Sequence, residues 1–263
     1  MTTEQEQLTE AQNQAFRHSL FVEGQVRDFV ALVGIEGCAG KVVVDIGGGC
    51  GFFAKHLAEV AGYKVRVIDR DQTCVSAAMQ AGIDAVCGDA LTPPIAGDEG
   101  IVCFNMVLHH LVGTTEEATV ELQRRALTAW RPQVGAIFVQ EYVYESFLWN
   151  LSGRLIFEIT KSTILSLVGR AVAALIPSLK ANTFGVGVRF RSHAEWVRLF
   201  ESSGYTVKAS VIGEPGKVSL PRRLLLIKSI RRDSFILEPQ IKLPLLASPA
   251  ERTRLCECER KRR

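Results

Sequence analysis

The sequence predicts an α/β protein with a doubly wound, mostly parallel sheet of seven strands. Residues 41–58 contain a short β-branched run, a glycine-rich turn and the start of an apolar-faced helix, which together form a strand–turn–helix unit. Short apolar runs then alternate with helical patterns, the order expected of a parallel sheet covered by helices. At 263 residues the chain has room for one large domain, or for one domain with a sizeable insertion.

The glycine-rich turn is the most informative part of the sequence. Asp45 ends the first strand, and Gly47, Gly49 and Gly51 follow on alternate positions. Glycines allow a ligand to approach the backbone and the helix N-terminus that follows. The pattern differs from the Gly-x-Gly-x-x-Gly of nicotinamide-binding proteins and lacks the Gly-Lys-Ser/Thr of a P-loop. The alternative interpretation is a tight turn in an unrelated α/β protein.

With its acidic residue and glycine spacing, this turn resembles the first motif of the class I S-adenosylmethionine-dependent methyltransferases. The resemblance covers about residues 21–230, with the later motifs in the expected order. It implies an antiparallel last strand in the sheet. It also implies S-adenosylmethionine as the cofactor, with S-adenosylhomocysteine as the product, and it assigns Asp45 and the three glycines to cofactor binding.

Two further aspartates follow the second and third predicted strands. Residues 63–69 form the second strand and end at Asp69, whose two carboxylate oxygens match the vicinal hydroxyls of a ribose. Residues 83–87 form the third strand, and the resemblance places the following Asp89 on the adenine amino group. A turn-forming aspartate is the alternative for Asp89. The neighbouring Arg70 and Ala90 are included in the predicted cofactor site.

The fourth predicted strand, residues 101–104, leads into a polar segment at the active edge. The resemblance places Asn105 and Met106 beside the methionine part of the cofactor. His109 or His110 could orient a substrate or accept its proton, because histidine titrates near neutrality. The alternative is that the two histidines only cap or pack.

The fifth predicted strand, residues 136–141, brings three further candidates to the same edge. Glu141 and Tyr142 join the two histidines as candidate catalytic bases. Tyr144 is a candidate substrate contact.

The resemblance also suggests a domain organisation. Residues 1–33 are predicted to be helical, with Gly24 as a candidate break, and to fold over the cofactor; the alternative is a helix packed on the sheet edge. Residues 34–145 and 185–237 form the methyltransferase core. Residues 238–263 are predicted to be an arm and a flexible tail, because prolines and charges punctuate them.

Residues 146–184 form an apolar insertion that is predicted to contain two helices. The resemblance places a substrate cap at this position. Extra core or a homodimer face is the alternative. A membrane-surface role has less support, because the polar faces of these helices are not strongly basic.

The segment after the insertion carries two arginines and a helix start. Arg189 and Arg191 project to one side if the chain is extended, where they could bind a substrate carboxylate or phosphate; an ion-paired edge is the alternative. Residues 192–195 form a capping box that begins a helix. Residues 205–212 and 224–227 are the sixth and seventh predicted strands.

Composition bounds the partners and the location. The net charge of +3 is too weak to indicate nucleic acid binding. No stretch has the roughly 18 apolar residues that a membrane span needs. Five of the seven cysteines are expected in the core, and Cys256 and Cys258 alone make an incomplete metal site, so no metal is predicted. An odd cysteine count without a signal peptide favours the cytoplasm.

These expectations give a functional hypothesis. The resemblance implies transfer of a methyl group to an O, N, S or C nucleophile of a small molecule, such as a specialised metabolite or an apolar or carboxylate-bearing compound. Methylation of protein or RNA is one alternative, and binding of the cofactor without catalysis is another.

Overall fold

The structure is a computed structural model that describes residues 21–34, 40–131, 133–179, 181 and 183–240. The first half contains α1 (Val22–Val33), β1 (Val42–Ile46), α2 (Phe52–Ala61), β2 (Lys64–Asp69), α3 (Gln72–Gln80), β3 (Asp84–Cys87), β4 (Glu99–Asn105) and α4 (Glu116–Thr128). The second half contains β5 (Ala136–Ser146), α5 (Leu151–Lys161), α6 (Thr163–Leu175), α7 (His193–Ser202), β6 (Tyr205–Val211), α8 (Leu220–Arg223) and β7 (Ile227–Pro239). Short 3₁₀ turns lie at Leu108–His110 and Pro177–Leu179.

Seven strands form one sheet in the order β3-β2-β1-β4-β5-β7-β6. Strands β1 to β5 are parallel, and β7 runs antiparallel to both of its neighbours. This confirms the predicted fold class. The chain builds outward from β1 in one direction and then resumes at β4 on the other side, so a crevice opens between the carboxyl ends of β1 and β4.

The core lies on both faces of this sheet, because adjacent residues of a buried strand point to opposite sides. Val44 and Ile46 of β1 pack with Trp130 and Trp196, under α4 and α7. Val43 packs on the other face, with the aromatic and aliphatic side chains of α1, α2 and α3.

Helix α1 is fixed to the sheet by a buried polar contact. Asp28 accepts a hydrogen bond from Ser234 of β7 at 2.9 Å, and Gln140 of β5 donates to Ser234 Oγ at 2.9 Å. The helix runs without interruption through Gly24, so the predicted break is wrong; the irregular residue is Phe21, with a left-handed φ of 77°. Residues 1–20 of the predicted lid lie outside the described residues.

Several element boundaries differ from the prediction, including that of β5, which continues past Glu141 to Ser146. The apolar run before Ile227 is a turn that follows α8 rather than a strand, and the last strand is Ile227–Pro239. Arg231 and Arg232 interrupt the apolar pattern in the first half of this strand, so the sequence did not indicate a strand there. In the structure Arg231 is ion-paired with Glu145 and Asp233. The predicted arm therefore begins inside this strand, and residues 241–263 lie outside the described part of the chain.

The helical predictions after β5 are confirmed. The insertion contains α5 and α6. Ser192 and Glu195 form the reciprocal hydrogen bonds of the capping box that begins α7.

Candidate active site

A cavity of about 400 Å³ opens at the carboxyl edge of the sheet, at the crevice between β1 and β4. Its volume lies in the range of small-molecule sites. The cofactor-site residues in its wall are Asp45, Gly47, Gly49, Asp69, Arg70, Ala90, Asn105 and Met106. His109, His110 and Tyr142 complete the wall on the β4–β5 side.

The glycine turn is shaped by close contacts as well as by backbone conformation. A Cβ on Gly48 would stand 2.4 Å from Oδ2 of Asp45, and one on Gly47 would stand 2.7 Å from a methyl of Val107. Gly49 has a left-handed φ of 55° and would place a Cβ in open space. Gly51 caps α2 next to Ala78. The turn therefore leaves its backbone uncovered at the cavity.

Asp69 joins the second strand to this turn. Its Oδ2 accepts a hydrogen bond from the Gly49 N–H at 2.8 Å, and its Oδ1 accepts one from the Asp71 N–H at 2.8 Å. Burial raises the pKa of Asp69. Each oxygen keeps a further lone pair, so the carboxylate can still accept the hydroxyls of a ribose.

Asp45 and Asn105 form a buried polar pair at the floor of the cavity. The Asn105 amide donates to Asp45 Oδ1 at 2.9 Å, while Asp45 Oδ2 and Asn105 Oδ1 are buried without a hydrogen-bond partner among the described residues. Burial raises the pKa of Asp45 to about 7. Two unsatisfied acceptors in a cavity wall fit a ligand that brings a cation or N–H donors, as the methionine part of S-adenosylmethionine does.

Asp89 lies beside the wall rather than in it. Its Oδ1 accepts from the Leu91 N–H at 2.8 Å, and its Oδ2 stands 3.6 Å from Nε of Arg70. Its neighbours Gly88 and Ala90 line the cavity. Asp89 thus makes the turn contact that the alternative interpretation expects, and its adenine role stays a prediction.

The polar segment after β4 is held by β5. Met106 has a left-handed φ of 62° and donates its N–H to the Gln140 carbonyl at 2.8 Å. Glu141, which is fully buried, accepts from the Leu108 N–H at 2.6 Å. Its other oxygen lies 2.6 Å from Nδ1 of His109. This pair orients the His109 ring and directs Nε2 away from Glu141.

The remaining catalytic candidates differ in chemistry from His109. Burial, with the neighbouring His109, lowers the pKa of His110 well below its ordinary value, so this ring is neutral at physiological pH. Burial raises the pKa of Tyr142, so its phenol is a proton donor rather than a base. Tyr144 lies behind the wall, stacked on Phe190 at 4.1 Å, and burial raises its pKa to about 12.

Arg189 and Arg191 lie in the protein interior. Both contact Glu116, at 2.7 Å and 2.9 Å. Arg189 also pairs with Glu195 at 3.1 Å, and Arg191 bonds Gln123 at 2.8 Å. The two side chains do share one side, and half-buried carboxylates occupy it, which agrees with the ion-paired alternative; the substrate role of Arg189 and Arg191 stays a prediction.

The cavity rim includes residues of α1. Phe21, Val22 and Gln25 line it, and the Arg232 guanidinium lies 3.7 Å from the centroid of the Phe21 ring, a cation–π contact.

Sequence reasoning left several wall residues out of the site, among them Gly48, Cys50 and Cys74. The Sγ atoms of the two cysteines lie 3.6 Å apart, where core positions were expected. Of the other cysteines expected in the core, Cys103 is buried, Cys87 is exposed and Cys38 lies outside the described residues. Asp71 caps the N-terminus of α3, as the sequence predicts, and Cys74 Sγ lies 3.4 Å from its Oδ2.

The described residues lack two features, a metal-binding cluster and a membrane-spanning helix. They contain no group of three or more His, Cys, Asp or Glu side chains placed to hold a metal ion. None of the helices in the described ranges is long and apolar enough to cross a membrane.

Comparison with solved structures identifies the fold as that of the class I S-adenosylmethionine-dependent methyltransferases. No protein family model and no curated sequence matches the chain. The chain is similar to the mitomycin 7-O-methyltransferase MmcR, with a TM-score of 0.54 and 15% identity over 86% of this chain and 56% of that one. It is also similar to MccD, with a TM-score of 0.55 and 13% identity over 83% and 97%. The Synechocystis PCC 6803 magnesium protoporphyrin IX methyltransferase, solved with S-adenosylhomocysteine, gives 0.50 and 14% over 88% of each chain.

Proposed function

We propose that the protein transfers a methyl group from S-adenosylmethionine to a small-molecule acceptor. The observation that carries the proposal is the contact between Asp69 and the glycine turn, which joins a diol-binding carboxylate to an uncovered backbone at one cavity. The methyltransferase fold supports it, as do the buried acceptors of Asp45 and Asn105. When bound, S-adenosylmethionine supplies an electrophilic methyl group.

The residues in the wall divide the binding task. Asp69 would accept the ribose hydroxyls, and Asp45 with Asn105 would meet the polar end of the methionine part. Gly47 and Gly49 let the ligand reach the backbone. Arg70, Ala90 and Asp89 lie where the adenine end would lie, and Met106 closes the opposite side.

His109 is the residue best suited to take a proton from the acceptor. Its ring lines the cavity, and Glu141 holds Nδ1 and stabilises positive charge on the imidazole. Glu141 lies behind the wall and would act as a positioning residue. Tyr142 and His110 would contact the acceptor without taking its proton, since the pKa of each is shifted away from that role.

An aromatic surface continues from this histidine. The His109 ring lies 5.1 Å from Phe190 in a stacked arrangement, and Tyr142 packs edge-on against both rings. Such a wall favours a flat, unsaturated acceptor with an ionisable hydroxyl. Similar structures include enzymes named for mitomycin and magnesium protoporphyrin IX.

No observation favours methylation of RNA or protein, or cofactor binding without turnover. The absence of nucleic acid binding, a substrate cap or homodimer face at residues 146–184, an N-terminal lid and a cytoplasmic location stay predictions.

Isothermal titration with S-adenosylmethionine and S-adenosylhomocysteine tests the proposal. We expect Asp69→Ala to weaken binding about 100-fold, because a buried acceptor of the ribose and of the Gly49 N–H is lost. Asp84→Ala is the matched control, since Asp84 is a half-exposed carboxylate at the start of β3. If the folded wild type binds neither ligand, the proposal is wrong.

Turnover separates an enzyme from a cofactor-binding protein. Transfer of label from methyl-labelled S-adenosylmethionine to a panel of hydroxyaromatic compounds should depend on His109. Cofactor binding without transfer to any small molecule, RNA or protein would favour the inactive alternative.

A further inference from the structure

Helix α6 exposes most of its apolar side chains and buries small ones. Its buried residues are Ser166 and Ala173, while Ile164, Leu167 and Val168 are exposed and Leu175 is 85% exposed. The buried side is held by polar contacts: the Ser166 hydroxyl donates to the Thr160 carbonyl at 2.9 Å. The helix thus packs on the protein through its small and polar side and presents its apolar side to the surroundings.

The exposed apolar surface continues onto two neighbouring segments. Arg222 of α8 donates to the Ser178 carbonyl just after α6, at 2.7 Å, and the Phe147 N–H donates to the Leu226 carbonyl at 2.9 Å. These bonds bring the end of α6, the helix α8 and the turn before α5 together. We call this surface the apolar platform; its exposed members are Phe147, Leu148, Trp149, Ile164, Leu165, Leu167, Val168, Leu175, Ile176, Leu220 and Leu224.

The platform gathers exposed apolar side chains from three neighbouring segments. Trp149 at 89% and Leu224 at 84% are almost fully exposed. An apolar surface of this extent marks a site of interaction. A tryptophan beside aliphatic side chains is the composition that favours the boundary between water and lipid.

Exposed basic side chains occur in the segments that carry the platform. Helix α6 has no acidic residue, and its one charge is Arg170. Exposed Lys217, Arg223 and Lys228 lie in and after the segment that contains α8, and Arg154 lies on α5. The acidic residues of residues 146–184 and 212–228 are Glu158 and Glu214 alone. Each of these two segments has more lysines and arginines than acidic residues, whereas the net charge of the whole chain is only +3.

We propose that the apolar platform binds the surface of an anionic lipid bilayer. The apolar face of α6 and Trp149 enter the headgroup layer, and the surrounding lysines and arginines contact lipid phosphates. This goes beyond the proposed function and does not depend on it.

Two other occupants fit the surface less well. A second copy would bring the same basic side chains of both chains together across a two-fold axis, which is unfavourable. The residues after Gln240 leave the sheet where β7 pairs with the start of β6, at the edge opposite the platform. An anionic surface matches both the apolar and the charged parts.

Tryptophan fluorescence of the full chain with lipid vesicles tests the proposal directly. Trp130 and Trp196 are fully buried, so a change on vesicle addition reports Trp149. We expect a blue shift and protection from acrylamide with mixed phosphatidylcholine and phosphatidylglycerol vesicles, and little change with phosphatidylcholine alone. Trp149→Phe should remove the shift, and added salt should weaken vesicle binding.

Paired variants locate the binding surface. We expect Leu175→Ser with Leu224→Ser to weaken co-sedimentation with anionic vesicles by about tenfold. The matched control is Val60→Ser with Met79→Ser, which changes two exposed side chains of α2 and α3. Lys217→Glu with Arg223→Glu should weaken binding by a similar factor, because it reverses charge beside the platform.

Three results would overturn the proposal. The full chain could fail to bind anionic vesicles, or the platform and control pairs could bind equally well. Trp149 could also be shielded from acrylamide in the free protein; light scattering would then show whether a second copy covers it, and a monomer would mean that part of the chain itself does. Each readout is independent of S-adenosylmethionine, so failure here leaves methyl transfer untested.

Discussion

The cavity and the helical insertion differ in which side chains lack a suitable environment: buried polar atoms in the cavity, and exposed apolar side chains in the insertion. In the cavity, Asp45 Oδ2 and Asn105 Oδ1 are buried without a hydrogen-bond partner among the described residues. In the insertion, α6 leaves Ile164, Leu167 and Leu175 in water while Ser166 and Ala173 face the protein. Each arrangement costs free energy in the isolated chain. The comparison indicates what each region would bind. Unpaired buried acceptors in the cavity fit a polar, cationic molecule, whereas exposed apolar side chains in the insertion fit an apolar, anionic surface.

The largest expected effect concerns the buried carboxyl group of Asp45. Burial raises the pKa of Asp45 to about 7, whereas an unfolded aspartate titrates near about 3.9. Between these values the folded chain holds a proton that the unfolded chain has released, so the free energy of unfolding falls as pH rises and is level above about pH 7. Asp45→Asn should remove this fall and stabilise the cofactor-free chain by up to about 4 kcal/mol at pH 8.

Urea unfolding at a series of pH values measures this difference. The contribution of other groups cancels when the variant is subtracted from the wild type. If the free energies of unfolding of the two proteins change in parallel with pH, the pKa of Asp45 is not raised and the prediction is wrong.

The second prediction concerns the contact between Glu141 and His109. Glu141→Gln should lower the rate of methyl transfer about 100-fold, because the amide cannot stabilise a positively charged His109. The acid limb of the pH–rate profile should shift, and the affinity for S-adenosylmethionine should stay unchanged. Glu145→Gln, on the same strand, is the control. Equal loss of rate and affinity in Glu141→Gln would indicate a structural role alone.

A third, smaller effect separates two neighbouring glycines. Gly48→Ala would force Asp45 to move and should lower the free energy of unfolding by about 2 kcal/mol. Gly49→Ala meets open space, so we expect a loss near 1 kcal/mol from its left-handed backbone, with cofactor affinity at least about tenfold weaker. Chemical unfolding and calorimetric titration distinguish the two. Normal cofactor binding by Gly49→Ala would contradict the predicted approach of the cofactor to the backbone at Gly49.

The smallest effect tests the inverted helix. Leu175→Ser should change the free energy of unfolding by no more than about 0.5 kcal/mol, because its side chain is already in water. Ser166→Ala, on the same helix, should cost about 1–2 kcal/mol, since its buried hydroxyl also accepts from the Gly185 N–H at 2.9 Å. Thermal or urea unfolding compares them. A larger loss for Leu175→Ser would mean that its side chain is covered in solution.

The sequence predicted the features that arise from neighbouring residues. The strand, glycines and helix of residues 41–58 are contiguous, so their local pattern defines the turn. The end of β2 at Asp69 and the capping box at Ser192 were found for the same reason. The antiparallel last strand came from the family resemblance.

Features that depend on distant partners were harder to predict. Glu141 meets His109 only because β5 pairs beside β4. Arg189 and Arg191 share a side, as alternation predicts, but the pattern could not show that Glu116 fills it. Periodicity likewise gave two helices in the insertion without showing which side of α6 faces the protein.

Strand β5 assigns two tasks to opposite faces through adjacent residues. Gln140 belongs to the polar contact that anchors α1, and Glu141 holds the imidazole of His109. Because side chains alternate along a strand, neither can replace the other. Mutation can therefore change the anchoring of α1 and the orientation of the His109 ring in separate steps. Under the proposed function, a lineage with this fold could exchange one acceptor for another while keeping α1 fixed to the sheet.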